Sequence, residues 1–372
     1  MDITEKIKET ITGKYWSIKK IMSKQADYNI IIGERSNGKT YGTLNYMLEN
    51  YCNGKGKGVY MRRWGEDIRP KRAGRTFEPF VLNGTVEKLT GGKFNRIAYK
   101  NSSWYLGVFD ENLQKIVTEE NPFCYALAIN DMEHTKSVSF PEVTTIVFDE
   151  FLTRGAYLVD EFMLFMNSLS TIIRDRDGVK IFMLGNTVNQ YCPYFEELGL
   201  THIQHQKQGT IDVYDYGDSE LKVAVEYCGN SIIPKPSNKY FAFNNPRLQM
   251  VKKGTWEIGI YPHLPYKYTL NDVMGVFFID FDGNVVQGDM IQTKEDLFIY
   301  IHKKTTPIKD ETKDLIFRLE STTRHNICSN LFKPSNKACS VILQLFNLNH
   351  VFYQTNQIGE IVHNYILECK KF

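Results

Sequence analysis

Eight consecutive residues, Gly33-Glu34-Arg35-Ser36-Asn37-Gly38-Lys39-Thr40, fit the spacing Gly-x4-Gly-Lys-Ser/Thr. Each fixed position has a physical task. The glycines let backbone N–H groups curl around phosphate oxygens, and the helix that follows adds positive partial charge at its N-terminus. Lys39 reaches the β- and γ-phosphates of a nucleoside triphosphate, and the Thr40 hydroxyl ligates Mg2+. The expected nucleotide-binding set is Gly33, Arg35, Ser36, Asn37, Gly38, Lys39, Thr40 and Tyr41. A glycine turn with an incidental lysine is the bland alternative.

A second candidate lies downstream, where the apolar run Thr144–Phe148 ends at Asp149-Glu150. A buried strand delivers such residues to the carboxyl edge of a sheet, where ligands bind in α/β folds. Asp149 then holds the Mg2+ shell, and Glu150 polarises the attacking water. Asn186 follows the strand 179–184 and, if that strand lies beside the Asp149 strand, can bond the water or the γ-phosphate, with Thr187 or a plain turn cap as the alternatives. Lys39, Glu150, Arg174 and Asn186 make up the expected catalytic set. Arg174-Asp175-Arg176 closes a helix at the expected rim of the nucleotide face. There an arginine neutralises transition-state charge in a neighbouring subunit, or simply satisfies a helix C-terminus. Lys55 and Lys57 sit in a glycine turn, and Lys71 and Arg72 in a second basic cluster. Both suit phosphate-backbone contact without base readout, as well as plain solvation.

Those residues need elements to hold them. Tyr28–Ile32 reads as a buried strand, 39–50 as a helix, and Val59–Arg63 and Phe123–Ile129 as strands. A hairpin is predicted around Ile97–Phe109, a helix over 158–173 and a helical segment over 3–23. Alternating strands and helices imply an α/β domain with a mainly parallel sheet over 1–228. Pro, Asn and Gly crowd 229–254, which reads as a linker. A smaller α+β domain follows over 255–372. Its expected strands are Thr255–Tyr261, Val273–Ile279, Asn284–Val286 and Leu297–His302. Its expected helices are 310–320, 335–347 and 356–369.

The 372 residues allow a sizeable core, with 42% hydrophobic and 24% charged residues. These figures exclude a disordered tail and a disulfide miniprotein. No apolar run approaches a membrane span, and the first residues lack a signal-peptide core, so a soluble intracellular protein is expected. None of the seven cysteines forms a C-x-x-C pair. The net charge is +2, with 17 basic and 13 acidic residues from position 231 onward. That mild basicity permits a polyanion partner without requiring one.

The run Thr145-Ile146-Val147-Phe148-Asp149-Glu150-Phe151 resembles the Walker B strand of phi29-type phage DNA-packaging ATPases. The stretch Arg174-Asp175-Arg176, Asn186, Asn189 and Pro193-Tyr194-Phe195 is similar to the same family, as are Val59–Arg63 and Lys136-Ser137. The resemblance covers 28–195, and beyond 230 only the order of elements matches. It implies a P-loop ATPase of the additional-strand, catalytic-glutamate (ASCE) class, using ATP and Mg2+. As a ring oligomer, expected to be a pentamer, it would move double-stranded DNA into a phage prohead at its portal, in the host cytoplasm. The resemblance further implies Arg174 as a trans-acting finger, with Arg176 and Lys136 as further trans candidates, and leaves a packaging RNA open. It implies a C-terminal domain with a vestigial RNase H-like nuclease fold. Were nuclease activity retained, Asp280 would lead, with Asp282 and Asp289 on its hairpin and Asp310, Glu311, Asp314 and Glu320 beyond. The competing readings are a phage or plasmid helicase or replication ATPase, a packaging ATPase with an active nuclease, and a P-loop module that does not hydrolyse. Gln25 and Tyr28 are the candidates for the adenine pocket.

Overall fold

A computed structural model describes residues 15–135, 139–155, 157–174, 176–229, 250, 255–265, 267–294, 296–310, 312–319, 326–328 and 330–370. The chain divides into two compact units, Met1–Glu257 and Ile258–Phe372. The expected linker lies almost wholly outside the described residues, as do Lys136, Ser137, Asp175, Glu311, Glu320 and positions 3–14 of the expected N-terminal helix.

The first unit is built on a ten-stranded sheet. Its parallel core comprises β1 (Tyr28–Gly33), β2 (Lys57–Arg62), β6 (Cys124–Ala128), β7 (Val143–Asp149), β8 (Lys180–Asn186) and β10 (Lys222–Tyr227), in the order β6-β2-β7-β8-β1-β10. Antiparallel strands extend it: β3 (Arg96–Lys100), β4 (Ser103–Asp110) and β5 (Lys115–Thr118) at one side, β9 (Ile211–Asp215) at the other. Strand alternation sends Ile30, Ile146, Phe148 and Met183 into one apolar layer, and Ile31, Val147, Phe182 and Leu184 into the other. Helix α1 (Lys39–Cys52) covers the second layer with Leu44, Met47 and Leu48. Helix α2 (Glu161–Ile173) covers the first with Phe165, Leu169 and Ile172. Both faces are thereby shielded, which is why these strands read as near-continuous apolar runs. Each fully buried large side chain contributes about 1.5–3 kcal/mol.

The second unit holds a six-stranded sheet. Strands β11 (Val273–Phe281), β12 (Asn284–Gln292) and β13 (Leu297–Lys303) form an antiparallel meander. Strands β14 (Leu315–Phe317) and β15 (Ile327–Cys328) add on parallel beside β11, and β16 (Val351–Tyr353) beside β13. Helices α3 (Lys337–Asn347) and α4 (Asn356–Cys369) pack on one face, around Phe277, Ile299, Ile342, Val362 and Tyr365.

Two expected elements are corrected. The helix over 310–320 is absent from its described residues, and Leu315–Phe317 is instead a strand. Asp314 Oδ2 accepts from the Lys309 N–H at 2.7 Å and the Asp310 N–H at 3.1 Å, a local pairing that competes with helix. No strand forms at Thr255–Tyr261. There the backbone donates to isolated partners instead of a ladder: Glu257 to the Thr187 carbonyl, Gly259 to Glu360 and Tyr261 to Asn356.

Phe165 is 0% exposed and Met163, on the same helix, is 56% exposed. Phe165→Ala should lower unfolding free energy by about 3–5 kcal/mol, and Met163→Ala should change it by less than about 0.5. Denaturant melts of the two variants check this.

Candidate functional site

Parallel strands end together, so one sheet edge collects every residue that follows a strand. β8 lies between β1 and β7, with Gly33 in register with Asn186 and Leu184 with Asp149. That register brings the Gly33–Thr40 turn, Asp149-Glu150 and Asn186 to one cleft of about 740 Å³. Asn186 therefore lies in the same cleft as both motifs, the strand before it being the neighbour of β7.

The Gly33–Thr40 turn uses left-handed backbone positions. Gly38 has φ +93°, and Ser36 has φ +60°, a left-handed position for a non-glycine residue. A Cβ on Gly33 would approach Cys228 Cβ to 2.7 Å, so glycine is required there by packing. Lys39 is 5% exposed, and its Nζ donates to the Glu34 carbonyl at 2.9 Å and to Asn186 Oδ1 at 2.8 Å. Asn37 Oδ1 accepts from the Lys39 N–H at 3.2 Å. Arg35, Ser36, Asn37 and Tyr41 line the cleft. Tyr41 stacks on Phe80 with ring centroids 4.4 Å apart and accepts from Asn83 Nδ2 at 2.7 Å.

Thr40 Oγ1 donates to Asp149 Oδ1 at 3.4 Å, and Tyr60 Oη donates to Oδ2 at 3.0 Å. A hydroxyl and a carboxylate so close form an all-oxygen donor set, which fits a hard cation that keeps several waters and phosphate oxygens. Burial pushes the Asp149 carboxyl upward, while Arg62 and the Tyr60 hydroxyl favour its ionised form. Glu150, at φ +58°, turns its half-exposed carboxylate to Arg62, whose Nη2 donates to Oε2 at 2.5 Å. Arg62 also meets Asp67 at 3.4 Å, and Asp67 in turn pairs with Arg72 at 2.7 Å.

Other predicted residues are placed elsewhere. Arg174 is exposed at the C-terminus of α2, which runs back to the edge where the strands begin. The expected rim position is therefore corrected: Arg174 lies at the sheet edge opposite Lys39, because the helix spans the sheet. Arg176 donates to the Ile173, Ile172 and Phe140 carbonyls, capping α2. Gln25 and Tyr28 also sit at that far edge, before and at the start of β1, and do not line the cleft; Tyr15 does. Lys57 is not a loop residue. It opens β2, is 8% exposed and pairs with Glu142 at 3.1 Å. Lys55 is exposed in the turn before β2, and Lys71 and Arg72 are exposed after it. The two basic clusters thus lie at opposite sheet edges and form no single patch.

The sequence reading gave no role to Tyr60, Arg62, Arg63, Glu161 or Tyr15. Two arginines ending a buried strand, as two carboxylates end another, were the available signal. Which strands are neighbours was not.

A parallel core, with β8 lying between the glycine turn off β1 and the Asp-Glu pair that ends β7, defines the class: a mixed α/β fold whose core sheet is parallel. A family model described as Podovirus DNA encapsidation protein (Gp16) matches residues 109–228, which contain Asp149, Glu150 and Asn186. The DNA packaging protein of Bacillus phage B103 is 25% identical over 182 residues, 46% of this chain and 48% of the relative. That of Bacillus phage phi29 is 24% identical over 216 residues, 57% of this chain and 58% of the relative. The matched region spans about half the length of these relatives. The solved bacteriophage Phi-29 viral genome packaging motor assembly shares the fold, with a TM-score of 0.55 at 17% identity, over 96% of this chain and 99% of that one. The chain resembles the phi29-type DNA-packaging proteins in sequence and in fold, as its motifs indicated. Among the described residues, no helix is long and apolar enough to cross a membrane.

A carboxyl raised by folding weakens the fold when it ionises. Stability without ligand should therefore fall as pH rises through the raised Asp149 value. Asp149→Asn should flatten that dependence. Melts from pH 4 to pH 8 check this.

Proposed function

We propose that this protein is an ATP-driven subunit of a viral DNA-packaging motor that moves double-stranded DNA into a phage prohead. One observation carries the reading: Lys39, Thr40, Asp149, Glu150 and Asn186 converge on one cleft. The similarity to DNA packaging proteins of two Bacillus phages supports it.

In this reading Gly33–Thr40 wraps the triphosphate and Lys39 leaves the Glu34 carbonyl for the β- and γ-phosphates. Thr40 and Asp149 would hold a Mg2+, which would supply positive charge against the negative charge of the phosphates. Glu150 accepts the proton of the attacking water, and Asn186 orients that water or the γ-phosphate. While Arg62 holds the Glu150 carboxylate at 2.5 Å, that carboxylate is engaged by the guanidinium and turned from the water. Hydrolysis without DNA is therefore slow.

Arg174 is too far from its own cleft to act there, which supports a trans role in a ring, a pentamer in the family resembled. Lys136 and a packaging RNA stay part of that proposal. Lys71 and Arg72 flank the nucleotide edge and are the stronger DNA-contact candidates, with Lys55 at the far edge. For the second unit we propose a nuclease-like (RNase H-type) fold without nuclease activity. Asp280 pairs with Arg318 at 2.9 Å and Asp289 with His302 at 3.1 Å, so both carboxylates are already engaged by side chains of the unit.

Glu150→Gln should bind ATP normally and lose turnover by about 10²–10⁴-fold, read as phosphate release with DNA and prohead. Unchanged turnover overturns the assignment, and unaided strand displacement on forked DNA favours a helicase instead. Arg62→Ala should raise DNA-independent turnover several-fold while weakening its response to DNA. Arg174→Ala should lower turnover by about 10³-fold, and wild-type sites in mixed rings should lose rate when their neighbour carries the change.

A further inference from the structure

We infer that Arg63 and Glu161 are a positioning pair that sets the backbone of Glu150. The inference rests on the reading of Glu150 as the group that takes the water's proton. Adjacent residues at a strand end point to opposite faces. Arg62 therefore takes the Glu150 carboxylate, and Arg63 takes the main chain behind it. The Arg63 guanidinium serves three acceptors at once. Nη1 donates to the Glu150 carbonyl at 3.4 Å, Nη2 to the Phe151 carbonyl at 2.6 Å and Nε to Glu161 Oε2 at 2.7 Å.

Glu161 is itself fully fixed. Its side chain is 0% exposed, Oε2 also accepts from the Leu158 N–H at 2.8 Å, and Oε1 accepts from Tyr194 Oη at 2.8 Å. The Tyr157 ring lies 4.9 Å from the Arg63 guanidinium carbon. The segment between β7 and α2 is thereby pinned at both ends. Glu150 needs that pin, because φ +58° is uncommon for a residue with a side chain and its N–H already donates to Asp149 Oδ1 at 3.0 Å. Its carboxylate is 57% exposed and meets one cation. The precision of the site therefore comes from the backbone, and only a planar fork reaches two successive carbonyls and a carboxylate together.

A buried ion pair that only stabilises can be replaced by two apolar side chains without loss. A positioning pair cannot. The test measures phosphate release with saturating ATP, Mg2+ and duplex DNA, binding of a fluorescent ATP analogue, and thermal unfolding of the full chain. Arg63→Lys and Glu161→Gln should bind the analogue as wild type does and lose about 10²-fold in kcat. The double change Arg63→Met with Glu161→Met deprives the Phe151 carbonyl, the Leu158 N–H and the Tyr194 hydroxyl of their partners, so it should unfold below wild type and stay as slow. In a Glu150→Gln background, Arg63→Lys should cost nothing further, because both act through one group. Wild-type kcat in Arg63→Lys, recovery of kcat in the double Met variant, or an independent loss in the Glu150→Gln background each overturns the inference. Should Glu150→Gln itself turn over at the wild-type rate, the underlying reading fails instead, whatever Arg63→Lys does.

Discussion

Two carboxylates side by side at the end of a buried strand repel each other, and the buried one, Asp149, also loses its water. Much of the first unit's polar chemistry answers that cost. Asp149 receives hydroxyls from Thr40 and Tyr60, and Glu150 receives Arg62. Those partners come from α1 and from β2, so the charge balance of one dipeptide ties the phosphate turn to the strand beside β7. Removing one partner of such a set leaves a charge that the low-dielectric interior tolerates poorly.

The parallel core also gives the unit two chemically distinct edges. Where the strands end, the phosphate turn, the carboxylates, Asn186 and the Asp67–Arg72 pair gather. Where they begin, Arg174 is exposed and Arg176 is spent on the carbonyls of its own helix. In the function proposed above, the Gly33–Thr40 cleft at one edge and the exposed Arg174 at the other would let one copy's far edge meet the next copy's cleft. Such heterologous contacts close into rings when the rotation allows.

The phosphate turn, the apolar strands and the Asp-Glu pair were legible because their signals are local. Gly-x4-Gly-Lys-Thr and a run such as Thr144–Phe148 need no partner to be recognised. The hairpin at Arg96–Asp110 was legible for the same reason. Leu315–Phe317 was misread because a short apolar run carries no periodicity to separate helix from strand, and its pairing with β11 decided it. Lys57 looked like a loop lysine because the glycines before it hid the start of β2. Its ion pair with Glu142 joins residues far apart in the chain.

The amino-acid order alone thus determined which segments carry the Gly-x4-Gly-Lys-Thr turn, the apolar strands and the strand-end carboxylate pair. It could not determine who stands beside whom, since strand order in a parallel sheet is set by crossovers and layer packing across the whole unit. Only the tertiary structure put β2 against β7, so that Arg62 faces Glu150 from one side and Arg63 holds its backbone from the other. Only it sent α2 across the sheet, carrying Arg174 to the far edge.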